Sequence, residues 1–152
     1  MNPALPDTAK QRLEDLLSFF GANVEVTATS SEDTIELSVN SEAGGRLIGH
    51  RGETLAAIQH VLNMMMRRET DERIYVHVDI GGYRQARLAK LEEQAQEAIT
   101  RARAEGVEVP LPMMSAAERR HLHTVLGEID GIVAESQGEG SRRRLVIKPA
   151  TA

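Results

Sequence analysis

Four glycines fall within nine residues, Gly44-Gly45-Arg46-Leu47-Ile48-Gly49-His50-Arg51-Gly52. Each glycine inside a regular element costs about 0.5–1 kcal/mol relative to alanine, so this stretch cannot belong to one long helix or central strand. The chain must turn here. Before the stretch, Ile35, Leu37 and Val39 alternate with polar residues, as in a strand with one buried face. After it, Leu55, Ile58, Leu62 and Met65 recur at helical spacing. The turn therefore joins elements of different period and brings them onto one core.

The rest of the chain follows from the same two periods. Pro6-Asp7-Thr8 can open a helix carrying Leu13, Leu16, Leu17 and Phe20, with Gly21 as its stop. Val24, Val26 and Ala28 alternate, Ser30–Asp33 reads as a turn, and a hairpin with the strand of Ile35, Leu37 and Val39 is expected. Ile74, Val76, Val78 and Ile80 predict a third strand, closed by Gly81-Gly82. A long helix is expected from Tyr83 to Glu105 with Leu88, Leu91, Ala95, Ala98 and Ala102 as its stripe. The prolines in Val107–Pro112 keep that segment out of a central strand. Ser115-Ala116-Ala117-Glu118 has the form of a capping box, opening a helix with Leu122, Val125 and Leu126. Residues 131–137 and 143–148 read as two strands around the turn Gly138–Ser141. The class is α+β, with a boundary near Gly81-Gly82 that gives domains 1–80 and 81–149.

Charge limits the function classes. The net charge of −5 argues against a general polyanion binder. However, residues 1–43 hold Lys10 and Arg12 against eight carboxylates, a net −6, which leaves +1 for the remainder. Basic residues gather at Arg46–Arg51, Arg67-Arg68 and Arg142-Arg143-Arg144, so any anion would be bound locally. No cysteine is present, which removes disulfides and thiolate metal sites. The first seven residues carry neither a basic nor an apolar segment of the signal-peptide kind, and no run of about 18 apolar residues exists. A cytoplasmic protein without direct membrane insertion is the expectation. No nucleophile–base pair, carboxylate dyad or metal cluster stands out, so neither an enzyme nor a cofactor is expected.

Two spacings carry chemistry. In Gly49-His50-Arg51-Gly52, glycines three apart let a ligand backbone approach without meeting a Cβ, while His50 and Arg51 can bond phosphate. The same pattern also fits a plain turn between helices. It is not a Walker loop, because His50-Arg51 stands where Lys-Ser/Thr is needed, and the dinucleotide pattern G-x-G-x-x-G is absent. Further on, Arg119 and His123 lie four apart on one helix face and could give two donors to one phosphate. Spacing alone favours the alternative in which Arg119 pairs with a nearby carboxylate and His123 is half-buried. His121 and His123 face different ways and make no metal pair; His60 and His77 stand alone and read as structural.

Leu47–Ile58, with Gly49-His50-Arg51-Gly52 at its centre, resembles the central signature of KH domains, and the order helix-strand-strand-helix-helix-strand resembles their type II form. The resemblance implies a three-stranded sheet with helices on one face and a loop that clamps single-stranded RNA by its backbone. It implies contacts from Arg46, Gly49, His50, Arg51 and Gly52, with Ile48, Leu55 and Ile58 lining or supporting the adjacent groove. Glu53, directly after the loop, would repel phosphate unless it points away. Glu118–His123 resembles the core of the R-3-H domain, a small α/β single-stranded nucleic-acid module, implying roles for Arg119, Arg120, His123, Arg142 and Arg143. The two in this order, joined by a long helix, resemble the bacterial Jag family (SpoIIIJ-associated protein) over residues 7–149. That family often has an additional N-terminal domain, which this sequence does not contain. The resemblance implies RNA binding, a link to cell elongation or division, and in some members a small single-KH protein partner. Single-stranded DNA stays open beside RNA, and an interaction adaptor with weak nucleic-acid sites stays open beside an RNA-binding regulator.

Overall fold

Leu5, Ala9, Leu13 and Leu17 recur every fourth residue, and all four are buried on helix α1 (Leu5–Ser18), which has a proline in its first turn. The computed structural model describes residues 2–150. Helix α1 stops before the phenylalanines. Phe20 N–H donates to Leu17 O and Gly21 N–H to Ser18 O, a tight turn completed by Gly21 at φ +61°. Phe20 is therefore not part of the buried stripe expected of it, and Phe19 is 88% exposed.

Strand β1 (Glu25–Ser30) pairs antiparallel with β2 (Thr34–Asn40) in the register Val26↔Val39. Strand β3 (Tyr75–Ile80) pairs parallel with β2, giving the order β1-β2-β3. Parallel neighbours need a long crossover. Here it is made by α2 (Gly44–Ile48), one 3-10 turn over His50–Gly52 and α3 (Glu53–Glu69). Ile35, Leu37 and Val39 of β2 and Val76, Val78 and Ile80 of β3 are buried in one core with α1 and with Leu55, Ile58, Leu62 and Met66 of α3. Met66, rather than the expected Met65, is the fourth buried residue of α3. The α-β-β-α-α-β order and the three-stranded sheet agree with the expected type II arrangement.

Helix α4 (Tyr83–Glu105) has the expected bounds. Its buried residues are Leu91, Ala95, Ala98, Ile99 and Ala102; Leu88 is only partly covered, and Ile99 takes its place in the stripe. These residues share a second core with Leu111, Met114, Leu122, Leu126, Ile132, Leu145 and Ile147. That core is built from β4 (Val109–Pro110), α5 (Ala116–Gly127), β5 (Ile132–Gln137) and β6 (Arg144–Pro149), with sheet order β4-β6-β5 and all pairs antiparallel. Strand β4 lies at an edge, the position its proline requires. Val125 is 38% exposed, so only Leu122 and Leu126 of the expected α5 stripe are buried. The chain divides into two compact units, which part between Arg84 and Gln85.

Candidate nucleic-acid interface

Helix α2 ends where Gly49 N–H donates to Gly45 O at 3.0 Å. Gly49 then takes φ +72°, ψ −171°, a backbone region that side-chain-bearing residues avoid. A Cβ placed there would lie 2.0 Å from Thr54 Oγ1, so the loop is folded flat against the first turn of α3. Arg51 is the one non-glycine residue at positive φ among the described residues, at +53°. Gly52 closes the loop at φ +81°, and a Cβ there would meet the Tyr83 ring at 2.8 Å. His50 and Arg51 are exposed on the outside of this bend. Neither they nor Arg46 has a side-chain hydrogen bond or ion pair among the described residues. Unpaired cations on a loop of exposed backbone are what an anionic ligand needs.

The apolar residues assigned to the loop behave differently. Ile48 is half-buried against the core, whereas Leu55 and Ile58 are 2% and 4% exposed. Leu55 and Ile58 thus do not line a surface. They are core residues that hold α3 behind the loop, because the helix turns them toward the sheet. Glu53 is exposed at the first position of α3, where a negative charge is favoured by the free N–H groups. Arg46 also borders an open concavity of about 820 Å³ with Asn23, Asn40, Glu25 and Glu42, where acid and base are mixed.

In the second unit the expected capping box is present. Ser115 Oγ accepts from Glu118 N–H at 3.2 Å, and Glu118 Oε2 accepts from Ser115 N–H. The other Glu118 oxygen accepts from Arg87 Nε at 3.2 Å, with both side chains mostly covered. Glu118 is therefore occupied and does not neutralise Arg119. Arg119 Nη1 donates instead to the carbonyls of Met114 at 3.0 Å and Arg143 at 3.3 Å. These bonds fix the guanidinium without cancelling its charge. Arg119, Arg120, His123 and Arg143 meet in a pocket of about 250 Å³ with Ala116 and Ser136, and no carboxylate lines it. His123 is exposed, so the half-buried alternative does not apply. His121 points elsewhere, 2.6 Å from Glu92 Oε1.

Arg142 is exposed on the 3-10 turn Gly140–Arg142 and does not line the pocket, so of the two assigned arginines only Arg143, which follows the turn, joins Arg119. Sequence spacing missed Ser136, which the register Ser136↔Leu145 brings beside α5; no local pattern announces it. His60, read as structural, is exposed, while the His77 ring lies tilted against that of Tyr75, with centroids 4.7 Å apart. Among the described residues, no helix is long and apolar enough to cross a membrane.

Residues 9–80 match the family described as the KH domain of KhpA/KhpB, and residues 89–149 match the R-3-H domain. Relatives named RNA-binding protein KhpB include one from Streptococcus pneumoniae, 29% identical over 129 residues, covering 82% of this chain and 39% of that protein. One from Clostridium symbiosum is 29% identical over 145 residues, covering 94% of this chain and 65% of that protein. One from Bacillus subtilis is 28% identical over 141 residues, covering 91% and 68%. The chain thus spans about two-fifths of the length of the pneumococcal relative. The unpaired loop cations lie within the first match and the arginine–histidine pocket within the second: the chain is a KH domain of the KhpA/KhpB type followed by an R-3-H domain, the pairing found in the Jag family.

Proposed function

We propose that this chain binds single-stranded RNA by its sugar–phosphate backbone, at the Gly49–Gly52 loop and at the Arg119–His123 pocket, and acts as a regulator rather than an enzyme. One observation carries the reading: in a chain of net charge −5, the cations at both places have no carboxylate partner. At the loop, backbone N–H groups and the His50 and Arg51 side chains would meet one phosphate, while the absent side chains of Gly49 and Gly52 leave room for the strand. At the pocket, Arg119 is held by two carbonyls with its remaining donors free, Arg120 and Arg143 add charge around it, and His123 adds a ring nitrogen for hydrogen bonding. The relatives' name, RNA-binding protein, agrees with this. The reading implies a cytoplasmic protein, and the family resemblance points its output toward cell elongation or division.

The test is fluorescence anisotropy with a labelled single-stranded RNA, comparing the native chain with the double variant His50→Asp/Arg51→Asp. Both side chains are exposed, so the circular dichroism spectrum should not change. Placing two carboxylates at the loop, one of them in place of the Arg51 cation, should weaken binding at least about tenfold and flatten its salt dependence, by about 0.7 in log–log slope per lost phosphate contact. Equal affinities with an unchanged spectrum remove the loop from the interface. A second reading, docking of a small single-KH protein, rests on Val61 and Met64, which stand 42% and 53% exposed one turn apart on α3. Charged substitutions there should abolish such a complex and leave RNA affinity intact.

A further inference from the structure

Side chains of α3 occupy part of the outer edge of β3. Tyr75 N–H donates to Asp33 O and Gly81 N–H to Val39 O, so the odd-numbered residues of β3 face β2. The even-numbered residues turn their main-chain groups outward, at the edge of the sheet. An open edge is a row of donors and acceptors that any base or extended peptide could use. Here Asn63 takes two of them: its Oδ1 accepts from Val76 N–H at 2.9 Å and its Nδ2 donates to Val76 O at 2.7 Å. The second Nδ2 hydrogen goes to Gln59 O at 2.9 Å, one turn back on α3. Gln59 Oε1 takes a third edge group, accepting from Val78 N–H at 3.2 Å.

Gln59 is fixed in one orientation. Its Oε1 also accepts from Arg84 Nη2 at 2.6 Å. Both partners of this atom can only donate, so the oxygen must face them and the NH₂ must face away. That NH₂ has no partner among the described residues, and Arg84 makes no other hydrogen bond or ion pair among them. Asp79, the nearest acid in sequence on β3, is engaged with Gly82 N–H at 2.8 Å. Both main-chain groups of Val76 and the Val78 N–H are therefore occupied, and beside them stand two donors: the half-buried, pre-set Gln59 amide and exposed Arg84.

We propose that Gln59 and Arg84 form a base-reading site that prefers guanine to adenine, beside the main-chain groups that Asn63 and Gln59 occupy. The proposal rests on the RNA-binding reading above. Guanine presents two adjacent acceptors, O6 and N7, whereas adenine replaces O6 with an N6 donor. Two donors side by side satisfy guanine and leave a donor facing a donor with adenine.

The experiment compares alternating uridine–guanosine, uridine–adenosine and uridine–inosine oligomers of equal length, with the intact chain and with Gln59→Glu. Inosine keeps O6 and N7. The native chain should bind the guanosine and inosine oligomers alike and about tenfold more tightly than the adenosine oligomer, within what one two-point base contact discriminates. Gln59→Glu retains an inner oxygen for Val78 and Arg84, so the fold should persist by circular dichroism. It turns the outward donor into an acceptor, and the guanosine preference should vanish or invert. Equal affinity of the native chain for guanosine and adenosine oligomers overturns the proposal without touching RNA binding. An equal loss for both oligomers in Gln59→Glu overturns it too, since the patch would then hold phosphate. Binding to no oligomer overturns the RNA reading and this proposal together.

Discussion

Gly49→Ala should be the most damaging glycine substitution in the chain's first unit, and the structure gives its size. The residue sits at φ +72°, ψ −171°, where a non-glycine residue costs about 1–3 kcal/mol. The new Cβ would lie 2.0 Å from Thr54 Oγ1, 2.7 Å from its Cβ and 3.1 Å from its main-chain nitrogen. Carbon contacts want about 3.5–4.0 Å, and a rotamer change of Thr54 moves its hydroxyl and methyl but leaves its Cβ and nitrogen in place. The Cβ and nitrogen belong to the first turn of α3, so overpacking adds about 1–3 kcal/mol. The sum is about 4 kcal/mol. Gly52→Ala meets only the Tyr83 ring edge at 2.8 Å, which can swing aside, and leaves about 1–2 kcal/mol for left-handed backbone. Gly81→Ala has nothing within 4 Å and should match that lower figure. Urea titrations followed by far-ultraviolet circular dichroism, the chain having no tryptophan, would rank the three. A Gly49→Ala midpoint equal to that of Gly81→Ala would refute the packing argument.

Arg119→Ala should lose about 1–2 kcal/mol of stability with its bonds to Met114 and Arg143, whereas exposed His123→Ala should change stability by no more than about 0.5 kcal/mol. Both should weaken RNA binding in titrations, and a His123→Ala protein that unfolds early but binds normally would remove the histidine from the interface. Arg87→Ala strips Glu118 of its guanidinium partner in a mostly covered site and should cost about 1–3 kcal/mol, read as a lower melting temperature; no change would show the pair to be inert. Lys148 lies between Glu135 at 2.7 Å and Glu108 at 3.1 Å. Bonding to Glu135 and then Glu108 raises the Lys148 pKa, and bonding to Lys148 and then Gln137 lowers that of Glu135. The lysine's share is thus present below its ordinary pKa and lost as pH rises through the raised one; the carboxylate's is present above its ordinary pKa and lost as pH falls through the lowered one. Melting curves of native and Lys148→Met chains should therefore differ at neutral pH and converge at both extremes, and a constant offset would contradict the linkage.

Much of this was legible in the residues, for identifiable reasons. Helix α4 is bracketed by Gly81-Gly82 and Gly106, so its bounds followed from punctuation. The capping box followed from Ser115 and Glu118 three apart. Strands β1 to β3 alternate cleanly because one face is covered and the other is open. The errors lie where spacing offers equal choices. Met65 and Met66 both continue the stripe of α3, and only the sheet beneath selects Met66. Leu88 and Ile99 both extend the stripe of α4, and packing against α5 and β6 favours the latter. Leu55 and Ile58 could not be told from groove residues, since core and groove share one helical period. Contacts between distant residues were invisible altogether: Glu118 with Arg87, Arg119 with the Arg143 carbonyl, and Asn63 with the edge of β3 depend on where the chain returns, not on local pattern.

Ultraviolet crosslinking of RNA to the native chain in living cells, followed by peptide mapping, tests the central claim most directly. Crosslinks should fall in peptides spanning residues 46–58 and 116–143, which hold the loop and the pocket, and should disappear from the first in His50→Asp/Arg51→Asp. Recovery of no RNA, or crosslinks confined to the acidic region 1–43, would contradict the account.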